Sequence, residues 1–259
     1  MPDDIQTLVQ DAQQLAPSPQ LAQQILSLID LTSLNDNDTS ATITALCQKA
    51  MLSTGKVAAV CVYPQFVTQA SKLLAGTTVN IATVANFPQG TATVDEVVPA
   101  IRQAISAGAQ EIDVVFPYQR YLSGDKSGAQ EFIRACKTAC GTVLLKVILE
   151  TGFYQDYQVM AEIAEAAVVN GADFLKTSTG KIATGATPEA AAVLLSVIKN
   201  LQPAVPRPLG FKAAGGIRTI PQAASYIALA NHILGPSWAT PATFRLGASQ
   251  LMDVLLMAL

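Results

Sequence analysis

The chain has 259 residues, half of them hydrophobic, and a mean hydropathy of +0.34, so it can bury a large core. Only 14% of the residues are charged, the net charge is −3, and like charges do not cluster, which argues against binding to nucleic acid or to a membrane surface. No apolar run approaches the roughly 18 residues of a membrane span, and the acidic, Gln-rich start does not resemble a signal peptide.

Strand-like and helix-like stretches alternate along the chain after a helical segment over residues 1–26. Eight short apolar runs predict strands at 28–32, 57–63, 79–85, 111–117, 142–149, 173–178, 209–214 and 243–248. The stretches between them carry apolar residues at helical spacing, and Thr187-Pro188 is typical of a helix start. Twice, at 104–116 and 167–178, a helical stretch ends in Gly-Ala and leads into a strand, as expected of a repeated helix–strand unit.

This alternation predicts parallel strands joined by right-handed crossovers. Eight such strands within about 230 residues favour an α/β fold closed into a (β/α)₈ TIM barrel, in a single domain that spans residues 1–259 with the N-terminal helical extension included. An open, doubly wound sheet is the alternative, although no GxGxxG motif follows the first strand to support it.

Four cysteines, Cys47, Cys61, Cys136 and Cys140, lie inside predicted helices or strands, which indicates free thiols in a reducing, cytoplasmic environment. His232 is the single histidine of the sequence. A catalytic zinc usually takes several His or carboxylate ligands, so neither a metal nor another cofactor is expected.

Against the apolar background of these strands, four charged residues stand out: Asp113, Lys146, Lys176 and Lys212. In a barrel, alternate residues of each strand point inward, and the carboxyl ends of the strands form the active-site face. Lys176 and Lys212 are expected at that face, at the ends of neighbouring strands six and seven. A buried ion pair that stabilises the interior is the structural alternative.

These charges suit one kind of chemistry. A lysine amine is nucleophilic only when it is neutral, and burial or a second cation nearby can lower its pKa by several units. Two adjacent lysines could therefore make one of them a Schiff-base nucleophile, with Asp113 balancing charge and moving protons. The residues alone do not decide which lysine attacks.

Glycine-rich turns follow the last three strands, in STGK (178–181), AAGGIRT (213–219) and LGAS (246–249). Glycine allows close approach of the backbone, and N–H groups exposed at such turns bind phosphate. The loops after the last strands of many TIM barrels do this. Each of these glycine-rich segments alone could be a turn that binds no ligand, but the three together favour a phosphate site.

Several segments, in this order, resemble the deoxyribose-phosphate aldolases: LIDLTSLNDNDT, VAAVCVYP, ATVANFPQG, EIDVVFPY, LLKVILETG, GADFLKTSTGK, FKAAGGIRT and FRLGAS. They extend from residue 28 to residue 249. The resemblance implies a metal-independent Schiff-base aldolase that acts in deoxynucleoside breakdown. It would cleave 2-deoxy-D-ribose 5-phosphate reversibly to acetaldehyde and D-glyceraldehyde 3-phosphate.

The resemblance also implies residue roles. Lys176 would form the Schiff base, Lys212 would depress its pKa and shuttle protons, and Asp113 would relay protons. The phosphate would be held by Gly180, Lys181, Gly215, Gly216 and Ser249. Supporting positions in the same pocket would be Asp30, Lys146 and, unless it is simply a small core residue, Cys61. Gln250 stands where relatives often have a second serine, which could alter one phosphate contact.

Two other functions stay open at this point. One is a Schiff-base barrel lyase for another sugar phosphate or a keto acid, which would not use acetaldehyde as its donor. The other is a non-catalytic barrel that binds a sugar phosphate without needing Lys176. In each case the partner is a small molecule, and apolar exposed helix faces would permit a homodimer.

Overall fold

The computed structural model describes residues 3–14, 18–52 and 55–259. Its strands are β1 (Ile29–Ser33), β2 (Met51–Leu52), β3 (Gly55–Lys56), β4 (Ala59–Val62), β5 (Asn80–Ala85), β6 (Glu111–Val115), β7 (Leu144–Ile148), β8 (Phe174–Lys176), β9 (Gly210–Ala214) and β10 (Phe244–Ala248). Its helices are α1 (Asp3–Gln14), α2 (Pro19–Ser27), α3 (Ser40–Lys49), α4 (Val67–Leu73), α5 (Val94–Ser106), α6 (Tyr118–Leu122), α7 (Lys126–Cys140), α8 (Tyr157–Val169), α9 (Pro188–Leu201), α10 (Ile220–Leu234) and α11 (Leu251–Ala258). Short 3₁₀ helices cover Pro64–Phe66, Thr151–Phe153 and Gln202–Ala204.

Eight of these strands form a closed parallel barrel. From β4 onward each strand pairs with the next one in the chain, and β1 closes the barrel between β10 and β4. Every predicted strand matches one barrel strand to within two residues at each end, so the (β/α)₈ prediction is confirmed. β2 and β3 form an antiparallel ladder of two residues each, too short to leave a pattern in the sequence.

Helices cover the outside of the barrel, and the main hydrophobic core lies between the two layers. The predicted N-terminal extension contains α1 and α2. The first packs against α10, and the second packs against α10 and α11. Residues 1–2 and 15–17 of this segment lie outside the described residues. Among the helices of the described ranges, none is both long and apolar enough to cross a membrane.

The predicted helix ends are confirmed in their details. Thr187 caps α9 by accepting a hydrogen bond from the Ala190 N–H at 3.1 Å. Gly108 and Gly171 follow α5 and α8 with φ of 111° and 115°, values that favour glycine. These turns direct the chain into β6 and β8, which carry three of the charged side chains described next.

Candidate active site

The barrel interior holds seven charged side chains, each less than 4% exposed. They come from six strands and are Asp30, Glu111, Asp113, Lys146, Lys176, Lys212 and Arg245. Strand register brings them together, because Lys146 lies opposite Asp113 and Lys212 lies opposite Lys176. A buried charge is costly unless it is paired, so these groups act as one network of three carboxylates and four cations.

Asp113 is the centre of this network. Its Oδ2 accepts hydrogen bonds from the amines of Lys176 and Lys212, both at 2.8 Å, and its Oδ1 accepts one from Lys146 at 2.8 Å. Burial by itself would raise the pKa of Asp113, but the three ammonium groups outweigh burial and hold this pKa well below its usual range. Asp113 is therefore a carboxylate that links all three lysines.

Lys146 and Lys212 each contact more than one carboxylate. The amine of Lys212 lies 2.5 Å from Asp30 as well as 2.8 Å from Asp113, and Lys146 lies 2.5 Å from Glu111. Burial would lower the pKa of both lysines, but their carboxylate partners raise it above the usual value. Both amines therefore stay protonated.

Lys176 is placed differently. Its amine contacts one carboxylate, Asp113, and it shares the accepting oxygen with Lys212. Burial lowers the pKa of Lys176, Asp113 opposes this, and the neighbouring Lys212 lowers it further. Since the other three cations already match the three carboxylates, Lys176 is the surplus cation of the network. It is the lysine that loses its proton most readily.

Glu111 and Arg245 belong to the network but are missed by the sequence analysis. The Arg245 guanidinium donates to both Glu111 oxygens and to Asp30 at 2.7 to 3.1 Å. Both residues are charges within predicted strands, and Glu111 is two residues before Asp113, so it points to the same side of its strand. Both residues are therefore predictable on the same grounds as the lysines, as charges within apolar strands.

Above the network, a cleft of about 250 Å³ opens at the carboxyl ends of the strands. Lys176 is in its lining. The five residues expected to hold a phosphate also line it: Gly180, Lys181, Gly215, Gly216 and Ser249. Gln250 and Arg218 add further polar groups. The cleft therefore joins one buried amine to the glycine-rich loops.

The three positions expected to support the pocket lie deeper than the sequence suggests. Asp30 and Lys146 are fully buried within the network and do not line the cleft. Cys61 is also fully buried, in a small apolar cluster with neighbours such as Val84, and burial raises the pKa of its thiol. Lys212 also lies below the cleft. The strand register pairs it with Lys176, the last residue of β8, but β9 continues for two more residues, so Lys212 is at the middle of its strand.

Glu150 holds the loop after β8 and has no counterpart in the sequence analysis. This residue is buried, and its backbone adopts the left-handed conformation with φ of 56°. Its carboxylate accepts hydrogen bonds from the hydroxyls of Ser178 and Thr179, each at 2.6 Å, and from the Thr179 N–H at 3.1 Å. Hydrogen bonds to a charged acceptor are among the stronger ones in proteins, so this loop is firmly positioned beside Lys176.

The loops after β8 and β9 touch through glycine. A Cβ on Gly185 would lie 2.4 Å from the Gly215 carbonyl oxygen, so the contact requires the absence of a side chain. The Ala186 N–H donates to the same carbonyl at 3.0 Å. This contact fixes the shape of the cleft on the side of the glycine-rich loops.

Donors and cations in the cleft could hold an anion. The N–H groups of Gly180 and Lys181 already donate to loop hydroxyls at 3.0 Å, whereas those of Gly216 and Ser249 have no acceptor within the described ranges. The Lys181 amine donates to the Leu34 carbonyl at 2.5 Å. The backbone donors of Gly216 and Ser249 come from two loops, and Lys181 and Arg218 add cationic side chains to the same cleft. This arrangement suits a phosphate.

In the described part of the chain, no three His, Cys, Asp or Glu side chains are grouped in a way that could hold an ion. The three carboxylates of the barrel interior contact lysine or arginine instead.

Comparison with known proteins agrees with this geometry. The sequence profile described as DeoC/LacD family aldolase matches residues 24–237. The structure is similar to a candidate deoxyribose-phosphate aldolase from Coccidioides immitis, at 29% identity over 98% of this chain and 96% of that one, with a TM-score of 0.80. A candidate enzyme of the same kind from Toxoplasma gondii gives 26% identity over 93% and 94%, with a TM-score of 0.84. The tetrameric deoxyribose-phosphate aldolase of Aeropyrum pernix gives 25% identity over 97% and 96%, with a TM-score of 0.76. Because the profile covers most of the sequence, the chain belongs to the DeoC/LacD aldolase family, and its structure is similar to those of deoxyribose-phosphate aldolases.

Proposed function

We propose that the protein reversibly cleaves 2-deoxy-D-ribose 5-phosphate to acetaldehyde and D-glyceraldehyde 3-phosphate through a Schiff base on Lys176. One observation carries this proposal. Lys176 is the surplus cation of a buried network, and it is the member of that network that reaches the cleft. A neutral amine in that position can attack a carbonyl carbon.

In the synthetic direction, the neutral Lys176 amine adds to acetaldehyde and gives a carbinolamine. Its hydroxyl takes a proton from the Asp113–Lys212 pair, directly or through water, and leaves as water, so that an iminium forms. The iminium restores a positive charge on the Lys176 nitrogen, 2.8 Å from the Asp113 carboxylate. This carboxylate stabilises the charge as it develops, as a preorganised site should.

The iminium then acts as an electron sink. A methyl proton passes to a base of the site, and the C–H electrons become the C=C bond of a neutral enamine. The enamine carbon attacks the aldehyde carbon of D-glyceraldehyde 3-phosphate, and the resulting alkoxide is protonated. Addition of water to the regenerated iminium releases the product and the neutral amine, and the proton set free returns to the Asp113–Lys212 pair. Cleavage follows the same steps in reverse.

The glycine-rich side of the cleft would hold the phosphate of the second aldehyde. Gly216 and Ser249 line this side with backbone N–H groups, and Lys181 and Arg218 are the cationic residues of the same lining. Gln250 also lines this side. Such anchoring would keep the aldehyde carbon near Lys176, since positioning accounts for much of the rate gain in bimolecular reactions.

The protein would act as one domain in the cytoplasm, in the breakdown of deoxynucleosides. Asp113, Lys176 and Lys212 would be its catalytic residues.

The test is to incubate the protein with 2-deoxyribose 5-phosphate, reduce it with borohydride and locate the added mass by peptide sequencing. We expect an adduct on Lys176 that requires the reductant, and its loss in Lys176→Ala but not in Lys137→Ala, a control lysine that pairs with Asp173 outside the barrel. An adduct on Lys212 would reverse the roles of the two lysines. Ligand binding without any adduct would refute the proposal and favour a non-catalytic barrel. If acetaldehyde alone gave no adduct while the sugar phosphate did, a lyase with another donor would be favoured.

A further inference from the structure

We propose that Arg245 and Glu111 are positioning residues that set, from the amino-terminal end of the barrel, how readily Lys176 becomes a neutral amine. The inference rests on the proposed role of Lys176. Arg245 supplies the cation that makes Lys176 surplus, and Glu111 supplies one of the three matching negative charges.

Arg245 is held so that its charge cannot leave the network. One of its terminal nitrogens donates to Asp30 at 2.7 Å and to Glu111 at 3.1 Å, and the other donates to Glu111 at 2.8 Å. Its Nε donates to the Pro241 carbonyl at 2.6 Å. The guanidinium is therefore fixed at all three nitrogens, and it stays charged at any pH that proteins tolerate.

Contacts of less than 3 Å connect this arginine to the reactive lysine. Glu111 lies 2.5 Å from Lys146, which lies 2.8 Å from Asp113, and Asp113 lies 2.8 Å from Lys176. On a second route, Asp30 joins Arg245 to Lys212, the other amine that shares the Asp113 oxygen. Both routes end at the carboxylate that faces Lys176.

Arg245 and Glu111 do not meet the substrate cleft. They line a separate cleft of about 530 Å³, together with residues such as Asn80, near the amino ends of the strands. Asn80 donates to Glu111 at 2.8 Å and helps to fix it. Any effect of these two residues on Lys176 must therefore pass through charge and position rather than through substrate contact.

The sign of the effect follows from the titratable and charged groups of the barrel interior around Lys176. They come from six strands and are Asp30, Cys61, Glu111, Asp113, Lys146, Lys212 and Arg245. Burial raises the pKa of the Cys61 thiol, which stays neutral, so three carboxylates face three cations besides Lys176. Without Arg245, three carboxylates would face two cations and Lys176 would keep its proton. Without the Glu111 charge, two carboxylates would face three cations and Lys176 would lose its proton more easily.

The experiment uses acetaldehyde, which carries no phosphate that titrates. The rate of reductive trapping on Lys176 is measured against pH, because only the neutral amine reacts. In Arg245→Met the midpoint of the rise should move to higher pH, and in Glu111→Gln it should move to lower pH. Each shift should be about one pH unit, as expected for a unit charge removed at roughly 10 Å with an effective dielectric of about 20.

Two further variants separate charge from structure. Arg245→Lys keeps the charge and should keep the wild-type midpoint. The double variant Glu111→Gln/Arg245→Met removes one charge of each sign and should return the midpoint close to wild type. It leaves neither residue as an unmatched buried charge, so it also serves if Arg245→Met alone does not fold. Arg207→Met is the matched control, because this arginine pairs with Asp173 outside the barrel and should leave the midpoint unchanged.

The outcomes distinguish this inference from the proposed function. Trapping on Lys176 in the wild type, with opposite shifts in the two single variants, would support both. Trapping with midpoints that do not move in folded Glu111→Gln, or that move the same way in both single variants, would overturn the inference and leave the function standing. No trapping in the wild type would overturn the function and the inference with it.

Discussion

Replacing Lys212 with leucine gives the most direct test of the charge arrangement. The substitution keeps a side chain of similar volume at the middle of β9 but removes the ammonium that shares the Asp113 oxygen with Lys176. Lys176 then becomes the nearest cation to Asp113 on that side. The charge count changes from four cations to three, which matches the three carboxylates. We therefore expect Lys176 to retain its proton to higher pH.

The size of this effect can be worked from the geometry. Both amines lie 2.8 Å from Asp113 Oδ2, so they are separated by no more than twice that distance. Two unit charges about 5 Å apart repel by about 3 kcal/mol at an effective dielectric of about 20, and 1.36 kcal/mol corresponds to one pKa unit. Burial, the largest cause of the lowered Lys176 pKa, is unchanged by the substitution. The pKa of Lys176 should therefore rise by about two units.

The assay is again reductive trapping of acetaldehyde on Lys176 as a function of pH. Turnover is a less specific readout, because Lys212 is also proposed to move protons. The midpoint of the trapping curve should move about two units to the alkaline side, and trapping at neutral pH should fall by up to about a hundredfold. Lys137→Leu, which removes a lysine paired with Asp173 on the outside of the barrel, should not move the curve.

A folded Lys212→Leu protein whose midpoint stays at the wild-type value would refute this reasoning. It would mean that burial alone lowers the Lys176 pKa and that the two amines are not coupled. A shift to lower pH would refute the charge count itself, since the loss of one cation would then have made Lys176 easier to deprotonate.

Three other outcomes are expected. Lys176→Ala should reduce turnover below about a hundredth of wild type, because it removes the nucleophile. It should not lower the free energy of unfolding measured in urea, because the cation it removes is the surplus one. Higher activity, or a clear loss of stability, would contradict this. Gly185→Ala would place a methyl group 2.4 Å from the Gly215 oxygen, so the KM for 2-deoxyribose 5-phosphate should rise several-fold while acetaldehyde trapping stays normal; equal effects on both would count against a role of this contact in phosphate binding. The buried carboxyl groups have lowered pKa values in the folded state, so the folded protein binds fewer protons than the unfolded chain in acid. Its stability in urea should therefore fall as the pH drops from about 5 through those values, and a flat profile between pH 5 and pH 3 would argue against it.

The sequence by itself determined the elements of this fold. Eight apolar strands and the helices between them leave patterns within windows of ten to fifteen residues, so their positions can be predicted without tertiary contacts. The Gly-Ala turns at Gly108 and Gly171 are equally local, because a positive φ at a helix end needs only glycine. Asp113, Lys176 and Lys212 can also be picked out locally, because their charges stand among apolar neighbours. Motif resemblance then indicated a role for each of them.

The tertiary structure decided how deep each charged side chain lies in the barrel and which charged groups form pairs. The stagger of the closed barrel sets the last residue of β8 against the middle of β9, which places Lys212 below the cleft and Lys176 at its floor. The sequence left Cys61 open between the pocket and the core, and the fold buries it completely in a small apolar cluster. No local pattern indicates that Glu111 and Arg245, which are 134 positions apart, share two hydrogen bonds. Which lysine carries the surplus charge is a property of the whole network, because electrostatic energy depends on distances in space and on burial, and neither is written in the order of the residues.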